Sequence, residues 1–152
     1  MNILSRLFGT PEEINGANRC PTYLYRWTIW KWRGRGLYVH NFVGDDWSLD
    51  LHDHPKRFVS IGLRGRYVEL TPDPKGGTKT RTFTAPWFRT FPAEHIHRIR
   101  MVRGWLGEIE DCWTLVLVLR PVRSWGFWHI GRFIPWREYV NSETADKMKA
   151  CE

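Results

Sequence analysis

Short aromatic and β-branched runs, separated by turn-forming residues, recur along most of the chain, and this rhythm constrains the fold more than any other feature. The runs cover residues 23–32, 37–43, 48–54, 58–63, 67–70, 80–91, 95–102, 113–119 and 125–129. Val, Ile, Thr and aromatic side chains suit a pleated, half-buried surface, so each run reads as a strand. The separators, among them Arg33-Gly34-Arg35-Gly36, Gly44-Asp45-Asp46, Arg64-Gly65, Asp73-Pro74-Lys75-Gly76-Gly77 and Pro121, are turn chemistry. Roughly nine strands with hairpin-length connections and no interleaved helices predict an all-β antiparallel sandwich or barrel, not a parallel sheet with helical crossovers.

A chain of 152 residues can bury roughly 70% of the surface its unfolded form exposes, so it needs no disulfide framework. The expected organisation is an N-terminal arm over 1–22, a barrel over 23–134 and a C-terminal helix and tail over 135–152. In the arm, Pro11 followed by Glu12 and Glu13 marks a helix start and Gly16 a stop. In the tail, Trp136, Tyr139 and Val140 share one helical face that Ala145 and Met148 extend, and this face is expected to pack on the barrel's outside. Cys20, Cys112 and Cys151 are an odd number without a CxxC pair, which predicts reduced thiols and excludes a cysteine zinc site. Cys112 opens an apolar run and reads as a buried small hydrophobe. No run approaches the roughly 18 apolar residues of a membrane span, and residues 1–9 lack the apolar core of a secretory signal, so a cytoplasmic protein is expected.

The net charge of +7 arises from 23 Lys and Arg against 16 Asp and Glu, and 17 of those cations are Arg. A guanidinium forks onto carboxylate or phosphate and stacks on rings, so an Arg and Trp surplus suits anionic ligands and nucleotides. Arg66, Arg81, Arg89, Arg98, Arg100, Arg103 and Arg120 are dispersed through strand-like segments, as on solvated sheet faces, which argues against a dedicated nucleic-acid surface.

Four of the six histidines fall in two tight pairs, His52-Asp53-His54 and His95-Ile96-His97. Side chains alternate across a strand, so residues two apart point to one face about 7 Å apart, close enough for two imidazoles to converge on one ion. A third imidazole from a neighbouring strand would complete three-nitrogen coordination with positions left open for water or substrate. Asp50 shares the parity of His52 and is a candidate carboxylate ligand or pocket residue; a turn-side solvated acid is the other reading. His40 and His129 stand alone among aromatics and read as core or rim residues.

These pairs and their surroundings resemble the two motifs of the cupin superfamily. The first motif places Glu four residues after its second His and Gly seven further on; here those positions hold Phe58 and Gly65. The second runs Pro-x-Gly-x-x-His, and Pro92-Ala93-Glu94-His95-Ile96-His97 supplies its Pro and His with Glu94 in place of Gly. Pro86 and Met101 depart from the usual Gly and Asn. The resemblance covers residues 38–119, and Trp125-Gly126-Phe127 adds a texture similar to small single-domain cupin-like proteins of phages and bacteria. It implies a single-domain jelly-roll barrel with a short C-terminal helix, and His52, His54 and His97 as ligands of a divalent transition metal. His95 would then be a fourth ligand, a catalytic acid or base, or a hydrogen-bonding rim residue. Phe58 would wall the pocket.

Three neutral imidazoles leave the charge of a 2+ ion uncompensated, which favours an anionic small-molecule substrate. Three-histidine cupins similar in this respect include the iron-dependent thiol dioxygenases. The leading expectation is therefore a metal-dependent cupin enzyme, as a non-haem iron dioxygenase or with Zn, Mn or Ni. The alternatives are a non-catalytic binding module for a nucleotide or other anion, and a metal-free sugar-nucleotide isomerase or epimerase with a His base. Strand exchange or edge pairing would be the route to a homodimer.

Overall fold

Alternation along one long strand, β10 (Cys112–Pro121), shows why the chain closes into layers. Cys112, Thr114 and Val116 are buried, whereas Leu117 and Leu119 on the other parity are exposed. The computed structural model describes residues 3–16 and 20–151; residues 1–2, 17–19 and 152 of the expected arm and tail lie outside the described residues. In chain order the other elements are α1 (Ile3–Phe8), β1 (Glu12–Asn15), β2 (Thr22–Trp32), β3 (Arg35–Phe42), β4 (Leu51–His52), β5 (Lys56–Arg64), β6 (Arg66–Pro72), β7 (Thr78–Thr84), β8 (Trp87–Phe91), β9 (Arg98–Met101), β11 (Gly126–His129), β12 (Arg132–Pro135), α2 (Trp136–Tyr139) and α3 (Glu143–Lys147).

The strands form a six-stranded sheet ordered β1-β2-β3-β10-β5-β8 and two three-stranded sheets, β12-β11-β4 and β7-β6-β9. Every strand pair is antiparallel, and the architecture is an all-β jelly roll with short C-terminal helices. Leu24, Phe42 and Cys112 of the large sheet pack on Tyr67, Ile99 and Met101 of the β7-β6-β9 sheet. Burying each of the larger apolar side chains in this seam contributes roughly 1.5–3 kcal/mol. The β5–β6 turn holds Gly65 at φ +79°, where a Cβ would lie 2.1 Å from the Asp111 carbonyl oxygen, so only glycine fits.

Several boundaries differ from expectation for identifiable reasons. The segment after Pro11 is strand β1, not a helix: it pairs with the open edge of β2, Glu12 with Arg26 and Ile14 with Leu24. The run 48–54 is strand only at Leu51–His52. The run 80–91 is two strands, β7 and β8, because the chain passes between sheets at Ala85-Pro86, where proline has no N–H for a ladder. The tail is broken into α2 and α3 by Ser142, whose hydroxyl caps α3 by accepting from the Ala145 amide. Tyr139 and Ala145 pack with Phe127, and the Tyr139 ring stacks on Phe127 at 4.0 Å.

The expectation of three reduced thiols is corrected for two of them. Cys20 and Cys151 form a disulfide with Cα atoms 5.6 Å apart, joining the start of β2 to the tail across 131 residues. An odd cysteine count does not exclude one pair when the fold brings the chain ends together. Cys112 is free and buried, as its apolar run suggests. Among the described residues no helix is long and apolar enough to cross a membrane.

Candidate metal centre

The His-Asp-His run divides between two sides of the chain as it leaves β4. Asp53 turns away from its neighbours into a fully buried site, where its carboxylate accepts from the Gly126 amide at 2.9 Å and from Arg123 Nη1 at 2.7 Å. With Asp53 pinned on that side, His52 and His54 face the other. The His52 and His97 backbones exchange two hydrogen bonds, His52 N to His97 O at 2.8 Å and His97 N to His52 O at 2.9 Å. The His54 amide bonds to the Ala93 carbonyl at 3.0 Å, which ties the first histidine pair to the loop bearing the second.

The outcome is a cluster in which ligand nitrogens of His52, His54 and His97 lie within 4.8 Å of one another. His54 Nε2 and His97 Nε2 are 2.8 Å apart. Burial first, then charge on His97, pushes both His52 and His54 well below their ordinary values, so both are neutral and offer lone pairs. Phe58 sets its edge against His54 with centroids 4.9 Å apart and stacks on Phe91 at 4.5 Å; Trp125 and Phe127 flank His52.

Glu69 on β6 is the functional group that sequence reasoning missed. Its side chain is 4% exposed. Oε1 accepts from His97 Nδ1 and His95 Nε2, both at 2.8 Å, and Oε2 accepts from Arg89 Nη2 at 2.7 Å. Burial alone would raise its pKa, yet the bonds from His95, His97 and Arg89 win and hold the carboxyl well below its usual range. An ionised carboxylate only accepts, so both imidazoles donate to it. His97 thus donates through Nδ1 to Glu69 and turns Nε2 toward His54, the carboxylate–histidine arrangement that orients metal ligands.

Glu69, His95 and His97 form a second group with converging ligand atoms. Two features set it apart from the first group: the Arg89 guanidinium already occupies the carboxylate, and neither Glu69 nor His95 lines the cavity. That cavity, about 520 Å³, lies between the six-stranded sheet and the smaller sheets and is lined by His52, His54 and His97 together with Phe58, Phe91 and Trp125. Its opposite wall carries Arg26, His40 and Thr114. Burial, then the Arg26 charge, pushes His40 down to about 3.

The other expected site residues fall as follows. Phe58 is among the residues that line the cavity. His95 hydrogen-bonds Glu69 behind the cluster. Asp50 is not brought to the imidazoles. It is buried, accepting from Tyr139 Oη at 2.6 Å and His129 Nδ1 at 2.9 Å, so it is neither a neighbour of the cluster nor a solvated turn acid. Its parity with His52 has no meaning because residue 50 precedes the two-residue strand β4. Asp46 is the carboxylate nearer His52, with Oδ2 3.9 Å from Nδ1. Asp46 Oδ2 is committed to the Ile99 amide at 2.6 Å, and burial pushes its pKa up.

The fold is similar to that of several solved structures of low sequence identity. Among solved structures, the Fe(II) form of HppE with the alternative substrate (S)-1-HPP matches with a TM-score of 0.54 at 10% identity, over 72% of this chain and 56% of that one. Hydroxypropylphosphonic acid epoxidase from S. wedmorenis matches with a TM-score of 0.52 at 10% identity, over 72% of this chain and 55% of that one. A cupin-2 domain protein from Shewanella frigidimarina matches with a TM-score of 0.45 at 15% identity, over 64% of this chain and 79% of that one. The chain thus spans little more than half the length of the epoxidase. No family model and no curated protein matches the chain.

Proposed function

We propose that the protein is a metal-dependent cupin enzyme in which His52, His54 and His97 hold one divalent transition-metal ion beside a pocket for a small anionic substrate. The observation that carries this reading is the convergence of three imidazoles, with ligand nitrogens within 4.8 Å, on the wall of a cavity of about 520 Å³. All-imidazole coordination suits Fe, Zn, Mn or Ni. Such an ion would supply Lewis acidity or, as iron, the redox centre of a non-haem dioxygenase.

The chain's own residues do the rest. Glu69 fixes the tautomer and direction of His97, and His95 acts through Glu69 as a positioning residue, not at the substrate. Phe58, Phe91 and Trp125 exclude water from one side of the pocket, while Arg26 and Lys56 supply positive charge along its lining.

Metal analysis tests this reading. Protein purified without a metal-affinity column is expected to contain about one transition-metal ion per chain, and the double variant His52→Ala, His54→Ala essentially none. Full occupancy in that variant would remove the proposal.

A further inference from the structure

The wall opposite the imidazole cluster holds a charged side chain where a jelly-roll interior is ordinarily apolar. Cross-strand pairing places Arg26 of β2 against His40 of β3, and His40 against Thr114 of β10, so three polar residues form one row on the inner face of the large sheet. All three line the cavity, between apolar rows that include Leu24 and Phe42 on one side and Val116 on the other.

Arg26 is held in place with Nη1 and Nη2 free of hydrogen bonds among the described residues, though Nη1 is ion-paired with Glu12, which also lines the cavity. Its Nε donates to His40 Nε2 at 3.1 Å, and its guanidinium carbon lies 5.3 Å from the centre of the Tyr38 ring. Buried His40 stays neutral and so keeps the Nε2 lone pair that this bond needs. Glu12 is the nearest carboxylate, with Oε2 3.7 Å from Nη1, beyond hydrogen-bond reach. Among the described residues no acceptor takes a hydrogen bond from Nη1 or Nη2. In the same row, on the far side of His40, Thr114 Oγ1 is buried without a partner, a costly arrangement unless something completes it. Lys56 also lines the cavity, with one of its protons committed to the Gly34 carbonyl at 3.0 Å.

We propose that Arg26 and Thr114 form an oxyanion subsite, with Lys56 adding positive charge, that receives the carboxylate or phosphonate head of a small organic acid. The molecule's other end would face His52, His54 and His97. This deepens the reading of the cavity as a substrate pocket and rests on it. The guanidinium fork supplies two parallel donors and the hydroxyl a third, a set that matches an oxyanion and rejects a cation or a neutral hydrocarbon.

Calorimetric titration with acetate and methylphosphonate as probes tests the subsite, on metal-loaded and chelator-treated protein. One probe should bind per chain, and the tighter of the two names the head group. Arg26→Gln should weaken binding by roughly 30-fold and Thr114→Val by roughly 5-fold, both with unchanged metal content, while Arg26→Lys restores part of the loss. The His52→Ala, His54→Ala variant should lose metal yet keep probe affinity within about threefold, so failure of the metal reading would leave this one standing. Unchanged affinity in Arg26→Gln, loss of all binding on metal removal, or no binding of either probe would overturn it. Should Arg26→Gln fail to fold, Thr114→Val decides, and unchanged affinity there overturns the proposal.

Discussion

Replacing Glu69 by Gln keeps the shape of the side chain and removes the charge that three donors share. Gln has one acceptor oxygen for His95, His97 and Arg89, whose bonds to Glu69 measure 2.8, 2.8 and 2.7 Å. If that oxygen stays with the two imidazoles, the new NH2 group faces Arg89 Nη2, donor against donor. One charge-assisted bond of about 1.5–3 kcal/mol is lost and two are weakened. Arg89 is 19% exposed and lies over the Phe83 ring at 3.7 Å, so it recovers some hydration but cannot swing free. The net cost should be about 3 kcal/mol, a fall in melting temperature of roughly 6–12 °C for a chain of this length. His97 also loses the anionic partner of its Nδ1 proton, which should lower metal affinity by roughly 10–100-fold. Thermal melts and chelator competition on Glu69→Gln, with His97→Ala as the reference for complete loss, measure both effects. A variant that melts within about 2 °C of the parent and competes equally for metal would refute the assignment of Glu69 as the residue that orients His97.

Two further outcomes are expected. His40 is held at about 3 in the folded chain against 6.5 for the free group, so the unfolded state binds the extra proton between those values. Stability from neutral His40 is therefore complete above about pH 6.5 and is lost as pH falls, by about 1.4 kcal/mol per unit. In urea melts, His40→Gln should lose about 2 kcal/mol less than the parent between pH 7.5 and 5.0, and equal losses would contradict the burial argument. The Cys20–Cys151 disulfide closes a loop of 131 residues, for which chain entropy gives up to about 5 kcal/mol of stabilisation. Cys20→Ser should show that loss in denaturant midpoint and insensitivity to reductant; identical midpoints for oxidised parent and variant would show that the bond does not constrain the unfolded chain.

The antiparallel fold was legible in the sequence because alternation and turn spacing are local properties. Glu69 was not legible, since in Tyr67-Val68-Glu69-Leu70 an acid reads as the wet side of a strand. The available signal was its shared parity with Tyr67, which is buried in the core seam. Asp50 misled for the opposite reason, parity being applied where no strand exists. The Cys20–Cys151 bond depends on where the two chain ends meet, which no local pattern encodes. Arg26 and Thr114 look ordinary singly and become a pair only through the β2–β3–β10 register.

The reciprocal amide bonds between His52 and His97 have an evolutionary corollary. Two of the three imidazoles are placed by main-chain atoms that every residue type possesses, so most of the intervening 44 positions can drift in identity, and the 73–77 turn can lengthen, without moving them. What the arrangement will not tolerate is a single-residue insertion between His52 and His54, or between His95 and His97. Descendants of such a barrel should therefore vary freely in wall chemistry and turn length while keeping the count of residues inside each histidine pair.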